Sequence, residues 1–408
     1  MRLAFSEMRL TFFQMQGAFA PSASRILENA RRIFTHSCFK NLFISCCLFL
    51  KVCLSLRRTL FNTRKTNDMK HSTFKVIGST LLCLMLFSSC IREEEFDNTP
   101  QGNFEALWQM IDERYCFFGY KKQEYGLDWD EVHERYARLI TPDMPAKGLF
   151  EVLGNMLAEL RDGHVNLYAN YDVARYWKWF EDYPANFSDS IQRHYLGTGY
   201  KIAGGLKYTI LDDNIAYVYY ESFASGVGNG NLSDMLLELS YCNGLILDVR
   251  NNGGGMLTNA TKLAARFTNE EVTTAYMCHK TGSGHSDFSA PEPVKITPSD
   301  GVRWQKPVAL LTNRRSYSAT NDFVNSMRQL PLVTVIGDRT GGGSGMPFSS
   351  ELPNGWSIRF SACPVYDPDM KQMEFGIEPD IRADMTAEDM ARGVDTIIET
   401  ARAWLSQK

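Results

Sequence analysis

Three segments place residues suited to catalysis next to the ends of predicted strands. The first, "LILDVRNNGGGM" at 245–256, continues from a buried strand into Gly253, Gly254 and Gly255. Open α/β sheets build their sites at the carboxyl ends of strands, and consecutive glycines leave backbone N–H groups uncovered. Such amides can stabilise an oxyanion. The alternative for this segment is a tight turn without a chemical role.

The second segment, "LLTNRRSYSATNDF" at 310–323, offers a nucleophile. Ser318 stands between a predicted strand and a predicted helix that starts at about residue 319. A serine in this position is exposed near a helix N-terminus, where the helix dipole and the free amide of Ala319 favour developing negative charge. The alternative is that Ser318 or Ser316 only caps the helix.

The third segment, "ELRDGHVNL" at 159–167, offers a base. A serine alcohol needs a proton acceptor, and histidine is the side chain whose pKa suits that role near neutrality. His164 follows a helix end and an Asp-Gly turn, so it is held in place. The other six histidines lie in helices, in polar or unassigned sequence, or near the N-terminus: His36, His71, His133, His194, His279 and His285.

Four motifs, "RDGHV", "LILDVRNNGGG", "NRRSYSATNDF" and "FGIEPDI", follow one another in this order. From about residue 103 to 400 the chain resembles the carboxy-terminal processing (tail-specific) serine peptidases and their tricorn-core relatives. The resemblance implies an α/β fold, a crotonase-like (ClpP-like) spiral core with a helical N-terminal domain. It also implies that Ser318 is the nucleophile, and that the amides of Ala319 and of Gly253 or Gly254 form the oxyanion hole.

The glycine-rich segment "GDRTGGGSG" at 337–345 departs from one branch of that family. Laid on the segment that carries a catalytic lysine in the processing branch, Gly343 occupies the lysine position. The resemblance therefore favours the tricorn-core branch, which lacks this lysine and uses a histidine base, here His164. About forty residues separate Val165 from the hairpin predicted at 206, too few for the PDZ domain of many tail-specific members.

A histidine base needs a partner that fixes its tautomer and stabilises the imidazolium. In the tricorn-like branch a glutamate just before the "GVxPD" element has this role, and "QMEFGIEPD" offers Glu374 and Glu378. We predict Glu374, with Glu378 or Asp380 capping the turn. Gly163 stands where the tricorn tetrad has a serine, so a strict tetrad is not expected.

The N-terminal 102 residues predict export. Residues 69–89 have the charged, apolar and small-residue regions of a secretory signal, and Cys90 follows as in a bacterial lipobox. The apolar run is shorter than a membrane-spanning helix requires. Residues 90–102 predict a tether, or the acidic export tag of Bacteroidetes-type surface lipoproteins, and residues 1–68 suggest a gene-start error.

The remaining sequence predicts a helical N-terminal domain at 103–170, a linker of unknown structure at 171–205 and an α/β catalytic domain at 206–408. The second half contains a hairpin near 206–222, strands at 244–250, 307–313, 333–338 and 356–367, and one C-terminal helix at 386–405. We expect no internal repeats.

These features predict a serine endopeptidase that acts outside the cytoplasm on peptides or unfolded proteins, anchored to the membrane through lipidated Cys90. The net charge of −4 without a basic run argues against nucleic-acid binding. No C-x-x-C spacing occurs, so we expect no metal and no cofactor. The alternatives are an inactive peptide- or ligand-binding surface lipoprotein, and an acyl-CoA enzyme of crotonase type, which an exported location disfavours. The oligomeric state is not predicted.

Overall fold

The computed structural model describes residues 96–408, which belong to one compact unit running from Glu95 to Lys408. The predicted gene-start error, signal peptide and lipidated Cys90 lie outside the described residues. Within residues 96–408, no helix has the length and apolar character needed to cross a membrane.

Four helices open the described part of the chain: α1 Pro100–Arg114, α2 Phe118–Tyr125, α3 Trp129–Ala137 and α4 Ala146–Ala158. The side chain of Thr99 caps α1, and Asp128 caps α3 as the sequence suggests. The predicted tether at 90–102 is too long, because Thr99 and Pro100 form the first turn of α1, where a capping hydroxyl and a proline are both favoured.

The four helices pack on a first sheet, whose strands come from the predicted N-terminal domain, the predicted linker and the predicted catalytic domain. The strands lie in the order β2-β1-β12-β7-β8, with β11 also paired to β12. Their bounds are β1 Asn166–Tyr168, β2 Val173–Arg175, β7 Val272–Met277, β8 Glu292–Ile296, β11 Gly345–Glu351 and β12 Ser357–Tyr366. The apolar faces of the helices share one core with Trp356, Ile358 and Phe360. The helical region at 103–170 is therefore not a separate domain, since its core is completed by residues near the end of the chain.

The predicted linker at 171–205 is structured. Besides β2 it contains α5 Lys178–Glu181, α6 Asp189–Leu196 and β3 Lys201–Ala203. These elements are short, so they lack the periodicity by which sequence patterns are recognised. The two strands are specified instead by pairing with β1 and with β4 Leu206–Ile210.

The second sheet has the order β13-β10-β9-β6-β5-β4-β3. Its further strands are β5 Ile215–Tyr220, β6 Gly244–Asp248, β9 Val308–Thr312, β10 Val333–Gly337 and β13 Ile381–Arg382. The predicted hairpin is confirmed as antiparallel β4–β5, and β5, β6, β9 and β10 run parallel. Helices α7 Asn229–Glu238, α8 Leu257–Ala264 and α9 Ala319–Arg328 cover one face of this sheet.

The single C-terminal helix predicted at 386–405 is wrong. The segment forms α10 Ala387–Ala391 and α11 Thr396–Leu405. The chain turns between them because Gly393 adopts a positive φ of 71°. The Asp395 carboxylate accepts hydrogen bonds from the first amides of α11, which starts a new helix there. Helix α11 packs on the opposite face of the second sheet from α7–α9, so the central strands are buried on both faces.

Candidate active site

Ser318 and His164 form a hydrogen-bonded pair at the carboxyl end of β9. His164 Nε2 lies 2.9 Å from Ser318 Oγ. Ser318 occupies the N-cap position of α9, but its side chain makes no capping hydrogen bond. Ser316 Oγ is instead bound to Val249 O at 2.8 Å. The structure thus favours Ser318 as a nucleophile over Ser318 as a helix cap.

The backbone of Ser318 is held in an unusual conformation. Its φ is 59° and its ψ is −124°, a region that costs a non-glycine residue roughly 1–3 kcal/mol. Its N–H donates to Gly342 O at 2.8 Å. Gly254 packs directly against it, because a Cβ on Gly254 would lie 2.8 Å from Ser318 Cβ. The strained backbone of Ser318 is therefore held in place by the glycine-rich segments that contain Gly254 and Gly342.

Two of the three predicted oxyanion-hole amides are free. Within residues 96–408, the N–H groups of Gly253 and Ala319 have no hydrogen-bond acceptor. The N–H of Gly254 donates to Asn252 Oδ1 at 3.0 Å. The arrangement therefore favours Gly253 and Ala319 as the pair of donors, and gives Gly254 the role of leaving room for the nucleophile.

The turn that carries His164 is organised by Asp162. Its carboxylate accepts the backbone N–H of His164 at 2.7 Å, and its other oxygen accepts from Tyr115 Oη and Ser361 Oγ, both at 2.9 Å. Burial lowers the pKa of His164 to about 4, while the Asp162 charge acts in the opposite direction. The imidazole is therefore neutral near pH 7 and is able to accept a proton.

The prediction that Glu374 orients His164 is wrong. Within residues 96–408, His164 Nδ1 has no hydrogen-bond partner. Glu374 is buried, but its oxygens meet Lys121 Nζ at 3.4 Å and the N–H of Ser344 at 3.1 Å. Glu374 therefore binds Lys121 and the Ser344 amide instead of His164. Glu378 also does not serve, since it pairs with Arg339 at the surface.

Lys121, Asp162 and Glu374 form a buried charged cluster beneath the His164 turn. Lys121 Nζ donates to Leu160 O at 2.5 Å and to Arg161 O at 3.3 Å. Burial and the Asp162 charge raise the pKa of Glu374 to about 8. Burial also opposes ionisation of Asp162, but Lys121 and His164 outweigh it and lower its pKa. The cluster thus holds one ammonium, one carboxylate and one largely protonated carboxyl near neutral pH.

Sequence reasoning missed Lys121 and Asp162. For Asp162 a signal exists, because an aspartate two residues before a held histidine commonly accepts its backbone N–H. For Lys121 no local signal exists, because the adjacent Lys122 belongs to the same short helix and has a side chain that is 68% exposed.

The position expected for a catalytic lysine is filled by an aromatic ring. Gly343 has a φ of 79°, and a Cβ there would lie 2.5 Å from the Tyr317 ring. Tyr317 stacks on Trp179 with ring centroids 4.1 Å apart and lies beside the His164 ring at 4.9 Å. The glycines of the 337–345 segment thus allow the residue before Ser318 to pack closely, which leaves no space for a lysine.

A cleft of about 760 Å³ opens over Ser318 and His164. Gly253, Gly254 and Gly255 form one part of its lining. Another part comes from the segment predicted as a linker, and includes Trp177, Trp179 and Phe180. A nucleophile, a neutral base and two free amides in one cleft can perform acyl transfer.

Comparison with known proteins agrees with this chemistry. The Peptidase family S41 profile matches residues 214–383, and the Tricorn protease C1 domain profile matches residues 96–158. The crystal structure of a candidate peptidase from Parabacteroides merdae ATCC 43184 is 57% identical, with a TM-score of 0.73. The alignment covers 76% of this chain and 97% of that one.

Two more distant relatives extend the comparison. The carboxy-terminal processing protease CtpA of Bacillus subtilis (strain 168) is 24% identical over 43% of this chain, and the match spans 36% of CtpA. The chain thus spans about a third of the length of such curated relatives. The structure of mature CPAF complexed with lactacystin is 11% identical, with a TM-score of 0.59 over 76% of this chain and 97% of that one, and shows the same fold. The chain therefore belongs to peptidase family S41, and the curated proteins to which it is similar include proteins named as proteases.

Proposed function

We propose that the chain is a serine endopeptidase that hydrolyses peptides or unfolded proteins, with Ser318 as nucleophile and His164 as general base. The observation that carries this proposal is the 2.9 Å contact between His164 Nε2 and Ser318 Oγ, two residues 154 positions apart. The turn at Ser318 does not depend on a contact with histidine for its structure, whereas acyl transfer by a serine requires a base next to the hydroxyl.

In the proposed reaction, Ser318 Oγ bonds to the scissile carbonyl carbon while its proton moves to His164 Nε2. The resulting oxyanion lies against the amides of Gly253 and Ala319. Collapse of the intermediate breaks the C–N bond, and the Nε2 proton passes to the leaving amine. Water then attacks the acyl ester, gives a proton to Nε2, and the acid product departs as Ser318 Oγ regains that proton.

Asp162 takes the place of the usual orienting acid in this scheme, although it acts through the backbone. Its hydrogen bond to the N–H of His164 fixes the turn, and its charge favours the imidazolium that forms when Ser318 is deprotonated. Asp162 is thus a positioning residue, because the imidazole nitrogen Nδ1 has no partner among the described residues.

A fluorophosphonate probe tests the proposal. Such a probe reacts with an activated serine, so we expect labelling of the wild-type protein, loss in Ser318→Ala and strong reduction in His164→Ala. The exposed Ser190→Ala variant and His133→Gln, which removes the histidine paired with Glu105, are matched controls that should label normally. Labelling that survives Ser318→Ala would end the mechanism as drawn, and absence of labelling in the wild type would favour an inactive binding protein.

We further propose that the protein acts outside the cytoplasm, anchored through a lipid on Cys90, and that its core is a crotonase-like spiral without a PDZ domain. The signal pattern at 69–89 supports export. The fold is supported by parallel strands β5, β6, β9 and β10 with helices between them. Mass spectrometry of the mature N-terminus tests the anchor: a diacylglyceryl-modified Cys90 is expected, and peptides from residues 1–68 would refute the gene-start error.

A further inference from the structure

The cleft over Ser318 carries a concentrated positive charge. Three arginines line it, Arg175 at the end of β2, Arg315 in the turn before the nucleophile and Arg359 in β12. No aspartate or glutamate of the described part of the chain, residues 96–408, lines it. The whole chain has the opposite net charge of −4. A cleft whose charge opposes that of the chain attracts ligands of negative charge.

Within residues 96–408, the three guanidinium groups donate no hydrogen bond. Buried Arg250 is bound by the carboxylates of Asp248 and Asp395. By contrast, none of the three cleft arginines forms an ion pair with a carboxylate in residues 96–408. The guanidinium of Arg175 lies over the Trp177 ring at 5.3 Å, and that of Arg315 lies over Phe180 at 4.2 Å.

Stacking on an aromatic ring orients a guanidinium without using its N–H groups. Trp177 and Phe180 themselves line the cleft, so the stacked groups are held at its wall. Arg359 lies close enough to the base that its charge, after burial, helps to lower the pKa of His164. Arg175 and Arg359 both pair with Asn166 of β1, and Arg315 lies three residues before Ser318, so the cleft lining next to the reacting atoms carries positive charge.

We propose that this cleft selects peptides with a carboxylate near the bond that is cleaved, and that Arg175, Arg315 and Arg359 are the residues that determine this specificity. The inference rests on the proposed peptidase function. A planar guanidinium binds a carboxylate through two parallel N–H···O bonds, and three unpaired ones offer several such forks. The carboxylate can come from an aspartate or glutamate side chain or from the free C-terminus of the substrate.

The test uses internally quenched peptides that differ only in glutamate, glutamine or lysine at the positions flanking the cleaved bond. Each peptide is made with a free and with an amidated C-terminus. We expect kcat/KM for the glutamate peptide to exceed that for the glutamine peptide by about 10-fold or more, a difference that falls as salt rises. A preference that survives amidation identifies the side chain as the source, and one that amidation removes identifies the C-terminus.

Three single variants, Arg175→Gln, Arg315→Gln and Arg359→Gln, and their triple combination assign the preference. We expect the ratio of glutamate to glutamine kcat/KM to fall towards one in the triple variant, mainly through KM. Cleavage of the glutamine peptide should change less than cleavage of the glutamate peptide in each variant. Lys147→Gln, which removes an exposed cation from α4, should keep the wild-type ratio. If Arg359→Gln does not fold, Arg359→Lys replaces it in the test. Lysine keeps the positive charge but lacks the two parallel N–H donors of the guanidinium.

The proposal is overturned if the wild type does not distinguish glutamate from glutamine in any form, or if the triple variant keeps the full preference. Competition of the same peptides against fluorophosphonate labelling gives the comparison without turnover. A wild-type protein that is labelled but indifferent to charge refutes only this inference. A wild-type protein that is not labelled refutes the peptidase function itself.

Discussion

Lys121 Nζ lies 3.4 Å from Glu374 Oε1, and both side chains are buried. The same ammonium binds the carbonyl oxygens of Leu160 and Arg161, just before the turn that carries His164. A buried contact between α2 and the loop that carries Glu374 therefore supports the turn of the catalytic base. The pair gives Glu374 a structural role that differs from the orienting role expected from the family resemblance.

The first prediction concerns Glu374→Gln. Because the pKa of Glu374 is raised to about 8, its carboxyl is largely protonated at pH 7, and glutamine imitates that form. We expect kcat/KM within roughly 3-fold of wild type, whereas removal of a true orienting acid lowers it by about 10⁴. Steady-state kinetics at pH 7 decides between the two roles, and a loss of that larger size would restore Glu374 as the partner of His164.

The second prediction concerns Lys121→Met. This change leaves Asp162 and Glu374 without their buried cation and two carbonyl oxygens without a donor. Removing the cation leaves the Asp162 carboxylate as an uncompensated buried charge, which costs roughly 3–5 kcal/mol of unfolding free energy; denaturant titration measures this loss. We also expect a lower kcat, because the His164 turn loses its support.

The neighbouring Lys122→Met is the matched control for that measurement. Lys122 has a side chain that is 68% exposed and pairs with Asp128 only at the surface. Exposed pairs contribute about 0–1 kcal/mol, so the control should unfold near the wild-type midpoint. Equal stability of the two variants would mean that the buried cluster contributes nothing.

The third prediction is the pH dependence of kcat/KM. His164 must be neutral to accept the Ser318 proton, and its pKa is lowered from 6.5 to about 4. Since activity is lost only as pH falls through the folded-state pKa, the acid limb should lie near pH 4 to 5, well below the usual histidine range. The profile is measured with an uncharged peptide, so that substrate carboxylates do not titrate. A limb near pH 6.5 would indicate a solvated histidine.

The features that the sequence predicts are those with a local signature. Ser318, Gly253 and Ala319 lie where a parallel strand meets a helix, and His164 follows a turn, so type and spacing marked them as candidates, and the family resemblance assigned their roles. The partners of Lys121 were not predictable in this way, because Glu374 is 253 residues away and meets it only after folding. Strands β1 and β2 were missed for the same reason, since they are specified by pairing with each other and with distant β12.

The fourth prediction is that a lysine at position 343 does not create a Ser–Lys dyad. In Gly343→Lys the new Cβ would lie 2.5 Å from the Tyr317 ring, at a φ of 79° that disfavours any side chain. We expect a loss of roughly 1–3 kcal/mol in unfolding free energy and weaker fluorophosphonate labelling of Ser318. Gly343→Ala should show much of the same loss, because the clash begins at Cβ. Gly119→Lys, at a helix position with no heavy atom within 4 Å of the new Cβ, controls for the added charge.

The decisive measurement is the peptidase activity of the double variant Gly343→Lys/His164→Ala. We expect no activity, and activity there would show that the chain accepts a lysine base after all.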